Sequence, residues 1–350
     1  MRLQRFQQLL HKRELDGFLI SRLSNLQYLF GFRGSAGMAL CLNGEAHLLV
    51  DSRYLEQAGQ SAHDCRPRLA DPSYQAALKA LLEELQQEST LRIGIEEEEM
   101  SCAWLRQMES WKLPFEFCPG PDLAGRLRRC KEPEEVERIE EALRRAQDAY
   151  HQVLPRLQPG MAEIEMAGEV ERAMRRHGAQ GFAFETIVAG GPRSALPHAS
   201  ASDRIWQEGE VLLIDFGLRR DGYHSDLTRV LLPQGDGEEA HVAAIVRRAA
   251  AKAAQRIAPG VKASQVDAAA REHIEAAGYG RFFGHGLGHG LGLDVHESPR
   301  VSKTSDEVLE AGMVFTVEPG IYLPGRFGVR IEDVVVVTPE GYRYLSDPHR

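Results

Sequence analysis

Three carboxylates stand in segments of this chain whose other residues are typical of buried β-strands. Asp215 lies in VLLIDFG, Glu318 in MVFTVEPG and Glu332 in VRIEDVVVV. Such runs of Val, Ile, Leu and Phe are typical of strands inside a protein core. Because burying an unpaired carboxylate costs several kcal/mol, a fold that buries these groups together must compensate their charge. Two divalent metal ions are the simplest compensation.

Two further potential ligands stand in the same half of the chain. Asp226 and Asp215 flank LRRDGYHS, in which Asp221-Gly222 is a strong signal for a hairpin turn. A hairpin there brings the two aspartates to within one or two residues of facing each other, close enough to hold neighbouring metals. His289 lies in GHGLGHGLGLDVHE, where glycines let the backbone approach a ligand or a neighbouring strand closely.

The complete set contains four carboxylates and one imidazole, and no cysteine occurs in this half of the chain. Its members are Asp215, Asp226, His289, Glu318 and Glu332. Oxygen-rich ligands favour Mn²⁺, with Zn²⁺, Co²⁺ or Fe²⁺ as substitutes, and disfavour a structural zinc site. Two ions about 3.5 to 4 Å apart lower the pKa of a shared water and polarise a substrate carbonyl. The set therefore predicts hydrolysis.

Composition excludes several other classes of protein. A net charge of -9 without a long basic block argues against nucleic acid or an anionic membrane as partner. No apolar run approaches the roughly 18 residues of a membrane span. The N-terminal segment has the pattern of an amphipathic helix, not of a signal peptide, which predicts a cytoplasmic protein. The five cysteines are odd in number and widely spaced, so we expect them to be reduced and mostly buried.

The chain of 350 residues predicts two domains, with the boundary after residue 128. Residues 1–128 alternate helical patterns, such as SYQAALKALLEELQQ, with short strand candidates. These strand candidates are GFLI at 17–20, MALCL at 38–42, AHLLV at 46–50 and LRIGI at 91–95. Residues 129–350 begin with a long helix that has Pro133 in its first turn.

The second domain contains a weak internal repeat. Residues 156–179 match residues 256–279 at an offset of 100 residues, with Pro-Gly before a helix and Gly after it in each copy. A stretch with histidines follows each copy. Two α/β halves related by a pseudo-two-fold axis would place these stretches opposite each other. Alternatively, the matching residues are ordinary helix punctuation.

These motifs resemble a known family. The order DFG, an Asp eleven residues after the first, GHGLGHGLGLDVHE, TVEPGIY and VRIED is similar to that of M24 metallopeptidases, in the branch of aminopeptidase P and prolidase. YLFGFRGSAG and VDSRY resemble the N-terminal domain of that branch. The resemblance implies an α/β (α+β) protein: a creatinase-like N-terminal domain, then a pita-bread catalytic domain with pseudo-two-fold symmetry. It further implies a homodimer.

The resemblance also implies roles for single residues. Asp215 would bind one metal, Asp226 and Glu332 would bridge both, and His289 and Glu318 would hold the second. A hydroxide bridging the metals would attack the carbonyl before proline, with Glu318 accepting a proton.

Other polar residues acquire roles from the same resemblance. Three histidines, His198, His285 and His296, would contact the substrate and stabilise the negative charge that develops on its carbonyl. Of the three, His296 is placed to stabilise the oxyanion. Arg330 and Tyr322 would orient carboxylates.

Substrate length stays open between two activities of the branch. Aminopeptidase P removes the first residue from longer Xaa-Pro peptides, whereas prolidase accepts dipeptides and must recognise their carboxylate. Arg300 in HESPRVS and Arg33 in GFRGSAG are the candidates for that recognition. The GSAG segment favours aminopeptidase P. A non-catalytic peptide-binding scaffold is a remote alternative, and amidinohydrolase chemistry is disfavoured because it would not need the metal ligands.

Overall fold

The computed structural model describes residues 1–348. The chain divides into two compact units, the first formed by Met1–Arg128 and the second beginning at Arg129. Each unit has its own sheets and its own apolar core. Among the described residues, no helix is long and apolar enough to cross a membrane.

The first unit is built on one six-stranded sheet. Its strands are β1 (Gly17–Ile20), β2 (Met38–Leu42), β3 (Glu45–Val50), β4 (Arg66–Leu69), β5 (Leu91–Glu96) and β6 (Phe115–Gly120). Its helices are α1 (Arg2–Lys12), α2 (Leu23–Phe30), α3 (Leu55–Ser61), α4 (Tyr74–Leu85), α5 (Cys102–Ser110) and α6 (Leu123–Arg128). The strands lie in the order β4-β3-β2-β1-β5-β6. The four predicted strands are confirmed as β1, β2, β3 and β5, and the predicted helices as α1 and α4.

The two edge strands of this sheet, β4 and β6, are not among the predicted strands. Their sequences are RPRL and FEFCPG, and every side chain of β4 is exposed or half-buried. Each contains a proline, which cannot donate to a strand ladder and is tolerated at a sheet edge. The apolar run that identifies an inner strand is therefore missing from both.

All five cysteines are free, as predicted, but the prediction that most are buried is wrong. Only Cys41, in the inner strand β2, is buried. Cys118 lies in the edge strand β6 and Cys65 directly precedes the edge strand β4, so both are half-buried, as is Cys130. Cys102 begins α5 and is exposed.

The second unit opens with a half made of two helices and six strands. The helices are α7 (Pro133–Val153) and α8 (Glu163–Arg176), and the strands are β7 (Gly181–Phe182), β8 (Ile187–Gly190), β9 (Leu212–Phe216), β10 (Leu218–Arg220), β11 (Tyr223–His224) and β12 (Leu227–Leu231). Pro133 is the first residue of α7, as predicted. The side chains of Glu132 and Glu135 form a capping box around this start.

A second half follows with two more helices and seven strands. The helices are α9 (Glu238–Ala254) and α10 (Ala263–Ala276), and the strands are β13 (Gly288–Gly290), β14 (Glu297–Val301), β15 (Val314–Val317), β16 (Gly320–Leu323), β17 (Phe327–Arg330), β18 (Asp333–Thr338) and β19 (Gly341–Tyr344). Three short 3₁₀ turns, at Leu154–Arg156, Gly191–Ala195 and Gly280–Phe282, complete the described helical structure.

The two halves repeat one arrangement. α8 and α10 are each 14 residues long and begin 100 residues apart. Before them, Gly160 N donates to Trp206 O and Gly260 N donates to Leu309 O, both at 2.8 Å. In each half a hairpin, β10–β11 or β16–β17, lies between two paired strands, β9 and β12 or β15 and β18. The predicted internal repeat is confirmed, since helix punctuation alone would not reproduce these long-range contacts.

The turn in the first hairpin is the predicted one. Asp221 and Gly222 have φ values of 52° and 86°, the left-handed conformations that a two-residue hairpin turn requires. Past the hairpin, β9 and β12 pair with Asp215 opposite Thr228. Asp226 therefore stands two residues along the chain from the partner of Asp215, as the turn predicted.

Close backbone approach explains the glycines around His289. A methyl group added at Gly288 would lie 1.9 Å from the carbonyl oxygen of Thr316 in β15, and one added at Gly290 would lie 2.2 Å from that of Ser298. The strand that carries His289 can therefore fit between β14 and β15 only with glycine on both sides of the histidine.

We expect Gly288→Ala to lower the free energy of unfolding by about 1–3 kcal/mol or more, because the new methyl group overlaps a backbone oxygen that cannot move alone. Urea denaturation followed by circular dichroism measures this change. Gly284→Ala is the matched control, since a methyl group there meets no atom within 4 Å. Equal stability of the two variants would contradict the packing argument.

Candidate metal centre and catalytic pocket

One cavity of about 720 Å³ in the second unit brings together most of the predicted site residues. Its lining includes the five predicted ligands and the three predicted histidines: Asp215, Asp226, His289, Glu318, Glu332, His198, His285 and His296. Arg300 and Arg330 also line it. Tyr322 is buried and contacts Arg330 and His285. Arg33 belongs to the first unit, and its role stays a prediction.

The repeat determines where the carboxylates stand. Asp215 lies in β9, and Glu318 directly follows β15, so each stands where the chain leaves a strand for the inserted hairpin. Asp226 and Glu332 directly precede β12 and β18, where the chain returns from that hairpin. Each half thus contributes two carboxylates at corresponding points. His289, in the middle of β13, completes the set.

Short distances connect four of the five ligand candidates. Single ligand atoms of Asp226, His289 and Glu332 all lie within 4.8 Å of each other. His289 Nε2 is 3.6 Å from Asp226 Oδ2 and 3.4 Å from Glu318 Oε1. His289 Nδ1 lies 3.2 Å from Gly290 O, so the proton belongs on Nδ1 and the lone pair of Nε2 faces the carboxylates.

Asp215 forms a short, buried ion pair in the cavity. Its Oδ2 accepts a hydrogen bond from Arg330 NH2 at 2.6 Å. Its Oδ1 is buried and has no hydrogen-bond partner among the described residues. Buried carboxylate oxygens without a partner are rare in native proteins. A cation next to Oδ1 would satisfy it.

The carboxylates have strongly perturbed acidities. Burial raises the pKa of Asp226 and of Glu332 well above ordinary values, and neighbouring carboxylates raise both further. Burial also raises the pKa of Glu318 to about 7, and that of Asp215 in spite of the nearby guanidinium. Burial lowers the pKa of His289 to about 4, so its imidazole is neutral at pH 7.

Counting charges shows that this donor set fits divalent metal ions. Four ionised carboxylates and the guanidinium of Arg330 sum to three negative charges, because His289 is neutral. One divalent cation leaves one negative charge, and two cations leave one positive charge. Hard oxygen ligands with one imidazole suit Mn²⁺ and related ions. The buried Oδ1 of Asp215, which has no hydrogen-bond partner among the described residues, supports this conclusion because a bound cation would satisfy it.

Two threonines that the sequence did not identify support the ligands. Thr228 Oγ1 donates to Glu332 Oε2 at 2.7 Å, and Thr316 Oγ1 donates to Glu318 Oε1 at 3.1 Å. Each lies two residues from a ligand in the chain, Thr228 after Asp226 and Thr316 before Glu318. Side chains two residues apart share a face of a strand, so this spacing is the signal that could have found them.

Arg330 connects the metal ligands with the histidine loops. Besides Asp215, its guanidinium donates to Tyr322 OH at 3.0 Å and to Pro197 O at 3.1 Å. Burial acts to lower the pKa of Arg330, but Tyr322 and the nearby carboxylates raise it overall, so it stays charged. Tyr322 OH lies 2.9 Å from His285 Nε2. Tyr322 therefore reaches the carboxylates only through Arg330.

The three histidines differ in their surroundings. His285 Nδ1 lies 2.7 Å from Gly286 O and its Nε2 faces Tyr322 OH, so both ring nitrogens are occupied, and burial lowers its pKa to about 4. His296 is exposed, and its ring centroid is 4.2 Å from that of His289. His198 is also exposed at the cavity.

Arg300 stands near the ligands for a simple geometric reason. It is the partner of His289 in the antiparallel pair β13–β14, and directly opposed residues project on the same face of a sheet. At the start of the same strand, Glu297 forms a buried ion pair with Lys131 at 2.6 Å. That pair anchors the residue that follows His296.

Buried carboxylates, a neutral imidazole and an orphaned ligand atom in one cavity define the class: a metal-dependent hydrolase. Residues 137–339 match the metallopeptidase family M24, and residues 2–130 match the creatinase/prolidase N-terminal domain. The chain therefore belongs to metallopeptidase family M24.

Solved structures and a curated relative support this assignment over the whole chain. An Xaa-Pro dipeptidase from Bacillus anthracis is 34% identical with a TM-score of 0.93, and the match covers 99% of this chain and 97% of that one. An X-Pro aminopeptidase from Thermotoga maritima is 38% identical with a TM-score of 0.89, over 99% and 97%. An Xaa-Pro dipeptidase of Pyrococcus horikoshii is 35% identical over 97% and 95%. The predicted fold and branch are confirmed.

Metal binding should stabilise the protein more at high pH than at low pH. Folding raises the pKa of all four carboxylates, that of Glu318 to about 7, whereas unfolded carboxylates release their protons near pH 4. The free energy of unfolding of the metal-free protein therefore falls as the pH rises through this range. A bound cation opposes this fall because it compensates the charge of the ionised carboxylates. Calorimetry should show that Mn²⁺ raises Tm more at about pH 8 than at about pH 5.

Asp226→Ala provides the specificity control for this prediction, since it removes one carboxylate from the cluster. Its Tm should respond little to Mn²⁺, whereas Glu140→Ala, which changes an exposed carboxylate paired with Arg343, should respond like the wild type. An equal Mn²⁺ effect at both pH values would count against a cluster that titrates in this way.

Proposed function

We propose that this protein is a dinuclear-metal exopeptidase that hydrolyses the peptide bond between an N-terminal residue and proline. The residues that would hold the metals are Asp215, Asp226, His289, Glu318 and Glu332. The observation that carries the proposal is their convergence on one cavity, with Asp215 Oδ1 buried and unpaired. Mn²⁺ is the proposed metal because four of the five ligands are carboxylates.

Two divalent cations, when bound, lower the pKa of a water and polarise the substrate carbonyl. The chain's own residues supply the remaining chemistry. Glu318, held by Thr316, accepts a proton from the attacking water. His296 and His198, both exposed at the cavity, donate hydrogen bonds to the substrate and to the oxyanion that forms from its carbonyl.

Arg330 and Tyr322 keep the site in order instead of reacting. The guanidinium fixes Asp215 in one orientation and holds the backbone before His198 through Pro197 O. The hydroxyl of Tyr322 joins the guanidinium to His285. Because both nitrogens of His285 are occupied, we assign it to this supporting network and leave proton transfer to Glu318.

Proline specificity is supported by family membership and by the relatives, which are Xaa-Pro dipeptidases and an X-Pro aminopeptidase. An Xaa-Pro bond is a tertiary amide without an N–H, so peptidases that bind this donor cleave it poorly. A site that acts through the carbonyl and the free amine does not need it. A cytoplasmic location and a homodimer belong to the same proposal and rest on the resemblance to this branch.

For substrate length, we propose that the protein prefers dipeptides. Arg300 lines the cavity opposite His289, where a guanidinium can bind the carboxylate of a short substrate in a bidentate manner. The Xaa-Pro dipeptidases of Bacillus anthracis and Pyrococcus horikoshii support this choice. Aminopeptidase P is the second candidate, favoured by the GSAG segment and by the X-Pro aminopeptidase from Thermotoga maritima.

A matched pair of peptides tests the proposal. Purified protein loaded with Mn²⁺ should hydrolyse an Xaa-Pro dipeptide, and it should cleave the same sequence extended by several residues at its C-terminus more slowly. Release of the N-terminal residue is measured by chromatography. Faster cleavage of the extended peptide would assign aminopeptidase P instead, and cleavage of neither would reject the proposed function.

Arg300→Ala should raise KM for the dipeptide by about 10-fold or more, because a charge-assisted contact to the carboxylate contributes about 1.5–3 kcal/mol. Cleavage of the extended peptide should change little. Arg300→Lys keeps the charge but loses the planar fork, so its KM for the dipeptide should lie between that of the wild type and that of Arg300→Ala. An equal loss on both peptides would mean that Arg300 does not recognise the carboxylate.

A further inference from the structure

A buried glutamate in the first half controls the loop at residues 190–202. Glu163 is fully buried at the first position of α8. Its Oε1 accepts from Gly190 N at 2.9 Å, and its Oε2 accepts from Arg193 Nε at 2.9 Å and from Ser202 Oγ at 2.6 Å. One carboxylate therefore holds the beginning, the middle and the end of this loop.

Arg193 extends this contact across the loop. Its NH2 donates to Ser200 O at 2.5 Å, so the guanidinium bridges Glu163 and the far side of the loop. His198 lies inside the segment closed in this way. The residue before it, Pro197, is also fixed, since its carbonyl accepts from Arg330.

The second half has a corresponding pair at the other histidine loop. Asp267 is fully buried in α10. It accepts two hydrogen bonds from Arg271, Nε to Oδ2 and NH2 to Oδ1, both at 2.8 Å, and one from Leu287 N at 3.1 Å. Arg271 also donates to Phe283 O at 2.9 Å and to His285 O at 2.8 Å.

The second pair also reaches the metal ligands. Leu287, whose N–H is held by Asp267, accepts a hydrogen bond from Glu318 N at 2.8 Å through its own carbonyl. His285, whose carbonyl is held by Arg271, contacts Tyr322 with its ring. A shift of this loop would therefore move the backbone of Glu318 and the partner of Tyr322 together.

The two carboxylates do not correspond under the internal repeat. At the offset of 100 residues, Glu163 corresponds to Ala263, and Asp267 corresponds to Ala167. The same arrangement is thus built twice from different positions: a buried helix carboxylate, an arginine bound to it, and the arginine's remaining donors on loop carbonyls. A shared sequence origin does not explain this coincidence, but a shared task does.

Stability alone is a poor explanation for these pairs. Desolvation offsets most of the attraction in a buried ion pair, and apolar replacements are often neutral. What the arginine fork adds is geometric, since its donors contact a carboxylate and a backbone carbonyl in fixed directions. In both pairs the carbonyl belongs to the loop that carries a cavity histidine.

We propose that Glu163–Arg193 and Asp267–Arg271 are two carboxylate–arginine clamps, positioning residues that set the loops carrying His198 and His285 in the reactive arrangement. This inference rests on the proposed function, because hydrolysis is its main readout. Each clamp holds its own histidine loop, so the effect of each clamp should depend on a different histidine.

Double-mutant cycles on the Mn²⁺-loaded enzyme test this assignment. Arg193→Ala and Arg271→Ala should each lower kcat/KM for an Xaa-Pro dipeptide by about 10- to 100-fold, the scale of a misplacement of about 1 Å. Combined with His198→Ala, Arg193→Ala should add less than about 3-fold, while Arg271→Ala should keep its full effect. In the His285→Ala background Arg193→Ala should keep its full effect, whereas Arg271→Ala should lose part of its effect and keep the part that acts on Glu318 N through Leu287 O.

Conservative variants separate positioning from charge. Arg193→Lys and Arg271→Lys keep a cation beside the buried carboxylate, so Tm should stay near the wild-type value, but a lysine cannot contact carboxylate and carbonyls together and kcat/KM should still fall. Arg343→Ala, which removes an exposed pair with Glu140, is the matched control without effect. If either alanine variant does not fold, its lysine variant replaces it in the cycle.

Equal factors in both histidine backgrounds, or full activity of the lysine variants, would overturn the proposal. If the wild type cleaves neither peptide, the proposed function fails and the clamps are tested by NMR of labelled histidines. Arg193→Ala should then shift the ring signals of His198 and leave those of His285 in place, and Arg271→Ala should do the reverse. Shifts at both histidines in either variant would contradict the assignment of one clamp to each histidine loop.

Discussion

The repulsion among four carboxylates in one buried cavity is the constraint on which the second unit depends. Asp215, Asp226, Glu318 and Glu332 stand close enough for neighbouring carboxylates to raise the pKa of the last three, and Arg330 neutralises one charge. A buried charge without compensation costs several kcal/mol. The fold can hold the cluster because strands of both halves carry it and because bound cations would complete it.

The repeat explains how a single chain assembles such a cluster. A hairpin inserted between two paired strands creates two points where the chain leaves and rejoins a sheet, and each half places a carboxylate at both points. Arg330, from the second half, then binds Asp215 from the first. The ion pair therefore holds the two halves together at the place where their charges would otherwise separate them.

The sequence could predict features whose cause is local. Asp221-Gly222 specifies its own turn, Pro133 begins its own helix, and an apolar run identifies an inner strand such as β2. Asp215, Glu318 and Glu332 could be found as candidate ligands because a carboxylate in an apolar run contradicts its surroundings. The edge strands β4 and β6 lack such a run, and the contact of Arg330 with Pro197 O joins residues 133 positions apart. No local sequence feature near Arg330 or Pro197 indicates this contact.

The surroundings of the histidines decide which of them can react. The resemblance assigns roles at the substrate to His198, His285 and His296, but the ring nitrogens of His285 are bound to Gly286 O and to Tyr322. A neutral imidazole that is held at both ends transmits position and has no free site for a proton. We therefore propose that direct contact with substrate falls to the exposed pair, His198 and His296, and proton transfer to Glu318. The loop of His285 then positions Tyr322, which contacts Arg330, and Arg330 in turn binds Asp215.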